Sequence, residues 1–385
     1  MRFWNLFANP GADIIESKNR QRDYLFDNYK VLLIILVIIG HFTEPSYRNN
    51  DFLYTLKWLI VSFHMPAFIF ISGYFSKREL TFAKLFQKLV IPYLIYEFIY
   101  YFFYIYVLHK ETSLYLLYPK FSLWYILALF AWRAVTPYFK KLPYYMLLSV
   151  GLGLLIGCSD MADNFLSLPR ILVFYPFFLA GTIFSRDTLN TLRTRKCQLF
   201  SACVIATFIL YLILDETHTE YSPKIFYGRY NYDFLGQTNA EGIFCRLFCY
   251  AVSFILTFAI FSLITDRQNL LSYIGSRTMA IYLFHGLTYS YLKECTTLLD
   301  HVDTLTESLI LLFFCTALAL LFSALPFSRL TGLVSNLPAA LKLSIQQLAF
   351  PFRFLPVHYL EVSNPALEPG TLQLFSCTLS SNRAD

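Results

Sequence analysis

Two stretches, residues 31–43 (VLLIILVIIGHFT) and residues 53–75 (LYTLKWLIVSFHMPAFIFISGYF), decide the fold. Both are nearly unbroken apolar runs. The second is long enough to cross a hydrocarbon core of about 30 Å, and the first becomes so by extending into its polar flank. Runs of the same kind recur near 89–108, 122–139, 144–159, 168–184, 198–214, 244–265, 278–292 and 305–326. In lipid the backbone must satisfy its own hydrogen bonds, so such runs form helices. The expectation is an all-α polytopic membrane protein with about ten transmembrane helices in one bundle. Composition points the same way. The chain is 57% hydrophobic and only 15% charged, more apolar than a soluble fold can hide. Its 40 Phe and 29 Tyr suit lipid-facing packing and interfacial belts.

Charge sets the expected orientation. Lys77, Arg78, Lys84 and Lys88 follow the second run, and Arg186, Arg193, Arg195 and Lys196 follow the sixth. They alternate with loops that carry acids such as Asp160 and Asp163. Lys and Arg stay on the cytosolic side of short loops, so both termini are expected to be cytoplasmic. The first residues hold Arg2, Lys18, Arg20, Arg22 and Lys30 without a cleavable apolar core, so the first run should remain as an anchor. The transmembrane domain then covers 1–326. After Pro326 the composition changes to a proline-containing tail, 327–385, expected to be an interfacial or disordered cytoplasmic extension.

The segment 215–243 reads as the longest external loop, with Glu220, Tyr221 and the aromatic stretch Tyr227 to Tyr232. It suits a surface that meets a sugar, and equally a plain connector. The Cys residues lie mostly within apolar runs, with no CxxC pair and no His spacing for zinc, so neither a metal nor a disulfide framework is expected. A net charge of +6 is mild, and no nucleic-acid partner is expected. The bilayer is the first partner.

Ionisable residues within membrane helices are costly and mark function by default. Lys30 opens the first run and His41 follows eleven residues later, about 16 Å along the helix and close to three turns, so both face one side. His41 is the main catalytic candidate, with Lys30 and His64 beside it; snorkelling for Lys30 and hydrogen-bonded packing for the histidines are the structural alternatives. His64 lies in Phe63-His64-Met65-Pro66, where the proline frees a carbonyl. Lys84 and Lys88 precede Pro92 in the third run, which also carries Glu97. Trp124 opens the fourth run, where an interfacial belt also accounts for it. Arg170 opens the sixth, and His285 lies in the ninth. A phosphate-cradling glycine loop, a GxSxG elbow and an HExxH pair are all missing from the sequence.

Taken together these segments resemble the bacterial membrane acyltransferase 3 family, and within it the fucose 4-O-acetylase-like branch. Arg22-Asp23-Tyr24 through Asp27-Asn28-Tyr29-Lys30 to Gly40-His41-Phe42 is similar to the family's opening, a basic residue followed after ten residues by a histidine. Phe63-His64-Met65-Pro66 with Ser72-Gly73-Tyr74, Lys88 to Tyr93, Leu123 to Leu127, Pro169-Arg170 with Phe177 to Gly181, and Gly275 to Tyr282 with His285 follow in family order. Lysine stands at 30, 84 and 88 where arginine is commoner, so point charges replace planar forks.

The resemblance implies an acyl-coenzyme A donor on the cytosolic side, acetyl-CoA or another acyl-CoA acting as co-substrate with no bound cofactor. It also implies a carbohydrate hydroxyl acceptor at or near the outer side of a bacterial plasma membrane. His41 would act as general base or acyl carrier. Lys30, Lys84 and Lys88 would hold donor phosphates, while Arg170, Trp124 and His285 would contact substrate. A transporter or flippase with a histidine-lined path would use the same residues, and a membrane sensor would need no turnover.

Overall fold

Helix α1 (Tyr24–Phe42) begins seven residues before the apolar run does. Polar residues are tolerated there because Asn28 is held: its side-chain amide donates to the Thr265 carbonyl at 2.8 Å and the Arg267 carbonyl at 3.0 Å. The computed structural model describes residues 23–160, 165–214 and 221–349. The basic residues Arg2, Lys18, Arg20 and Arg22, and also Asp163, Glu220 and the tail beyond 349, lie outside the described residues.

Among the described residues every regular element is helical. After α1 come α2 (Asp51–Tyr74), α3 (Phe82–Tyr106), α4 (Trp124–Phe139), α5 (Tyr145–Cys158) and α6 (Leu168–Ile183). Then follow the short α7 (Arg186–Leu192), α8 (Arg195–Leu214), α9 (Asn239–Leu263), the short α10 (Leu270–Gly275), α11 (Thr278–Cys295) and α12 (Leu305–Phe322). Each apolar run of the sequence is thus a helix. Seven of these helices are long and apolar enough to cross a membrane; α4, α5 and α11 fall short of that length or hydropathy.

Contacts divide the chain into two units, Met1–Ala340 and Leu341–Asp385. The first continues past the composition change at Pro326, because Phe327 packs on Phe284 with ring centroids 4.9 Å apart. A last helix, α13 (Leu325–Ala349), supplies the described residues of the second unit. Of the expected tail, therefore, residues 327–349 are helical.

Two proline effects shape the bundle around the site. Pro66 lies inside α2 and cannot donate to the Ser62 carbonyl; Ser253 of α9 supplies the missing donor at 2.6 Å, so α2 stays continuous. Pro92 withholds a donor from the Lys88 carbonyl, and the start of α3 widens into a π-helical segment over Phe86–Val90. Helices α2 and α6 cross at two glycines. A Cβ on Gly73 would lie 2.0 Å from the Phe178 carbonyl oxygen, and one on Gly181 2.0 Å from that of Phe70. Only glycine lets the backbones approach so closely, as small residues do in membrane packing. The stacking of Phe26 on Tyr74, centroids 4.3 Å apart, shows that the start of α1 meets the end of α2.

Candidate active site

His41 stands in the last turn of α1, at the end of the bundle that carries the loops 43–50, 107–123 and 221–238. It opens on a cavity of about 110 Å³ walled by Val37, Val61, Met65 and Phe174 and lined on its polar side by Glu44, Lys57, His64, Arg170 and Tyr227. The cavity is small, mostly apolar and furnished with a few convergent polar groups, as ligand sites are.

The histidines differ in what holds them. His64, in the middle of α2, has Nδ1 2.7 Å from the Ile60 carbonyl. A carbonyl only accepts, so Nδ1 carries the proton and Nε2 keeps its lone pair. His285, fully buried in α11, is fixed the same way by the Ile281 carbonyl at 3.0 Å. Its Nε2 has no hydrogen-bond partner among the described residues. The His285 ring lies 5.6 Å from that of His41, centroid to centroid. Phe121 packs on both, 4.7 Å from His41 and 5.8 Å from His285. Phe121 is held at φ 46°, a left-handed conformation that a bulky residue adopts only where its surroundings impose it. Gly286 makes the room: a Cβ there would lie 2.6 Å from the Phe121 ring.

Arg170, near the start of α6, places its guanidinium 4.9 Å from the centre of the Trp124 ring. Such cation–π contact supports a guanidinium away from water. Trp124 is therefore part of the cavity wall as well as an interfacial aromatic.

Sequence reasoning passed over Lys57, Glu44 and Phe121, and named Tyr227 only within the aromatic stretch of the 215–243 segment. Lys57 is 2% exposed, and its ammonium meets Glu44 Oε2 at 2.5 Å and donates to the Gly40 carbonyl, the residue next to His41. Tyr227 donates to the same Glu44 oxygen at 2.7 Å. Burial and that carboxylate push the Tyr227 phenol well above its usual range, so it remains a donor. Lys57 could have been found as a charge inside the second apolar run. Glu44 and Tyr227 lie in loops, where nothing local marks them.

The structure thus brings His41, His64, His285, Arg170 and Trp124 together and leaves Lys30, Lys84 and Lys88 elsewhere. Lys30 pairs with Asp27 at 2.7 Å and lies over the Phe75 ring at 5.7 Å, away from the cavity. Lys84 and Lys88 are exposed at the start of α3, at the end of the bundle opposite His41. Lys30 is accordingly not a group that touches chemistry at His41. Glu97, buried in α3, accepts from the Lys120 backbone N–H at 2.7 Å, and the Lys120 ammonium lies 3.9 Å away.

The chain matches the profile of the acyltransferase 3 family, described as an acyltransferase domain, over residues 23–326. It is 45% identical over 58 residues to Nodulation protein NolL of Sinorhizobium fredii (strain NBRC 101917 / NGR234), a match that covers 14% of this chain and 16% of that protein. No solved structure matches. A profile match across most of the chain, on a bundle that spans the membrane and gathers histidines in a buried cavity, has one reading: the protein belongs to the acyltransferase 3 family of membrane acyltransferases.

Proposed function

We propose that this protein is a cell-membrane O-acyltransferase that moves an acyl group, acetyl first among them, from acyl-CoA to a hydroxyl of a surface or secreted carbohydrate. The observation that carries the reading is the division of labour along the bundle. Two histidines and an arginine share a cavity at one end, while Lys30, Lys84 and Lys88 lie toward the other. Charge attraction would hold the donor's phosphates at the lysine end, about 16 Å along α1 from His41. Both termini lie with the lysines in the cytosol on this reading.

In the reaction, the acceptor hydroxyl gives its proton to His41 as its oxygen attacks the thioester carbonyl carbon. The His285 Nε2, buried without a hydrogen-bond partner among the described residues in a ring 5.6 Å from that of His41, would accept the other ring N–H of His41, favouring the charged imidazolium. Arg170 would meet the oxyanion of the tetrahedral intermediate. The C–S bond then breaks, and the departing thiolate recovers the proton from His41. His64, its tautomer fixed by Ile60, would accept from an acceptor hydroxyl. Transient acylation of His41 is the variant of this scheme.

The test uses purified protein with acetyl-CoA and an extract of surface glycan, following thiol release and the gain of acetyl mass on the glycan. His41→Ala should lower transfer by about 10²–10⁴-fold with normal membrane expression. Near-normal product from a folded His41→Ala protein would overturn the assignment. Absence of any transfer by the wild-type protein, with solute uptake in its place, would favour a transporter.

A further inference from the structure

A single turn, Pro223–Tyr227, separates three spaces. Tyr227 lines the His41 cavity, and Phe226 lines both that cavity and a groove of about 400 Å³ between α8 and α9. Ile225 lines the groove and a third pocket of about 250 Å³, which the groove also meets at Tyr221 and Gln237. The groove is aromatic: Phe208 and Tyr211 come from α8, Phe244 and Phe248 from α9, and Trp58 and Phe226 from its floor. It opens where α8 is mostly uncovered by protein, on a face that would meet lipid in a bilayer.

The third pocket is of opposite character. Arg48 and Lys224 line it, together with Ser222, Gln237 and the rings of Tyr221 and Phe234, and among the described residues no carboxylate does. Neither cation forms an ion pair among the described residues; Arg48 bonds the Tyr47 hydroxyl, and Lys224 lies over the Tyr230 and Phe234 rings. The one acid lining the groove, Glu241, is engaged by Thr238, whose N–H and O–H it accepts. Two cations that form no ion pair among the described residues, Arg48 feeling only the more distant Glu44 carboxylate, stand beside an apolar channel and complement an anionic head on a hydrocarbon chain.

We infer that the sugar acceptor is carried on a lipid phosphate, its phosphate held by Arg48 and Lys224 and its chain lying in the groove between α8 and α9. The sugar, linked to that phosphate, then reaches past Tyr227 into the His41 cavity. Phe226 keeps the chain out of the cavity while admitting the head beside it. This inference rests on the acyl-transfer reading above for what the sugar is there to receive. The lipid anchor supplies affinity for an acceptor that the small cavity alone could not hold, because burial of hydrocarbon and phosphate lies outside the reacting centre.

The experiment measures equilibrium binding of tritiated farnesyl phosphate to the purified full chain in phosphatidylcholine nanodiscs. Arg48→Gln combined with Lys224→Gln should weaken binding at least about tenfold, whereas Arg48→Lys combined with Lys224→Arg should stay within about threefold. Cys245→Trp, which fills the groove, should weaken it comparably. Farnesol should compete poorly for want of the phosphate, and inorganic phosphate should not compete for want of the chain. Equal binding by wild type, charge-removed and groove-filled proteins would overturn the site, as would displacement by phosphatidylglycerol at matched concentration, the mark of an ordinary bilayer lipid. Acetyl-CoA takes no part in this measurement. A protein that binds farnesyl phosphate through these residues yet transfers no acyl group refutes the functional reading and leaves the site standing; equal binding refutes the site and leaves acyl transfer untouched.

Discussion

Lys57 ties the turn that carries His41 to the rest of the molecule. Its ammonium is bonded to Glu44 and to the Gly40 carbonyl, and it lies 5.4 Å and 5.7 Å from the Tyr47 and Tyr227 ring centres. A lysine so deeply placed is stable only while its partners neutralise it and fill its donors. Lys57→Met leaves the Glu44 carboxylate beside an apolar chain and frees the carbonyl that precedes His41. It should cost about 2–3 kcal/mol, read as a lower thermal-inactivation temperature, because Glu44 keeps part of its surface open and escapes the full penalty. Adding Glu44→Gln should recover most of that stability and little of the turnover. Simple additivity of the two losses in a double-mutant cycle would show that the pair is not coupled.

Helices meet here by means that a single residue can spoil. The α2–α6 crossing depends on Gly73 and Gly181, each facing a backbone carbonyl that cannot move aside as a side chain could. Gly181→Ala forces the two helices apart and should destabilise the purified protein by about 1–3 kcal/mol, the usual range for overpacking. An unchanged melting profile would mean that the helices are less closely apposed than they stand here. The effect should reach the cavity as well, since His64 rides on α2 and Arg170 on α6. The proline of α2 is harmless by comparison, its freed carbonyl being taken by Ser253.

At the scale of the whole bundle, the two ends should behave differently toward reagents and substrates. In a background lacking the native cysteines, a cysteine at Gly236 should label from outside with an impermeant thiol reagent, and one at Thr194 should not. Labelling of both from outside would overturn the helix count or the orientation. On the proposed reading, donor binding belongs to the other end. Lys88→Gln should raise the KM for acetyl-CoA about three- to tenfold at low salt and less at high salt, because exposed charges are screened. Lys88→Arg should keep most of the function. A KM unmoved at both salt concentrations would remove Lys88 from the donor site and leave it as an anchor for orientation.

The helical class and the position of nearly every long helix were legible in the sequence, because lipid allows few solutions to an apolar run: the backbone closes its own hydrogen bonds or fails to insert. His41, His64 and His285 stood out for the same reason, each a polar group where polarity is costly. Which of the polar residues share one space was not written locally. Arg170 joins the His41 cavity because α6 packs on α2, closely enough to need glycines, and His285 stands beside His41 with Phe121 packed against both in the room that Gly286 leaves. Glu44 and Tyr227 are ordinary loop residues until the turn at Pro223–Tyr227 folds over the end of α1. Local pattern determined which segments enter the bilayer; the crossing of distant helices, set by backbone contact at small residues, decided which side chains meet there.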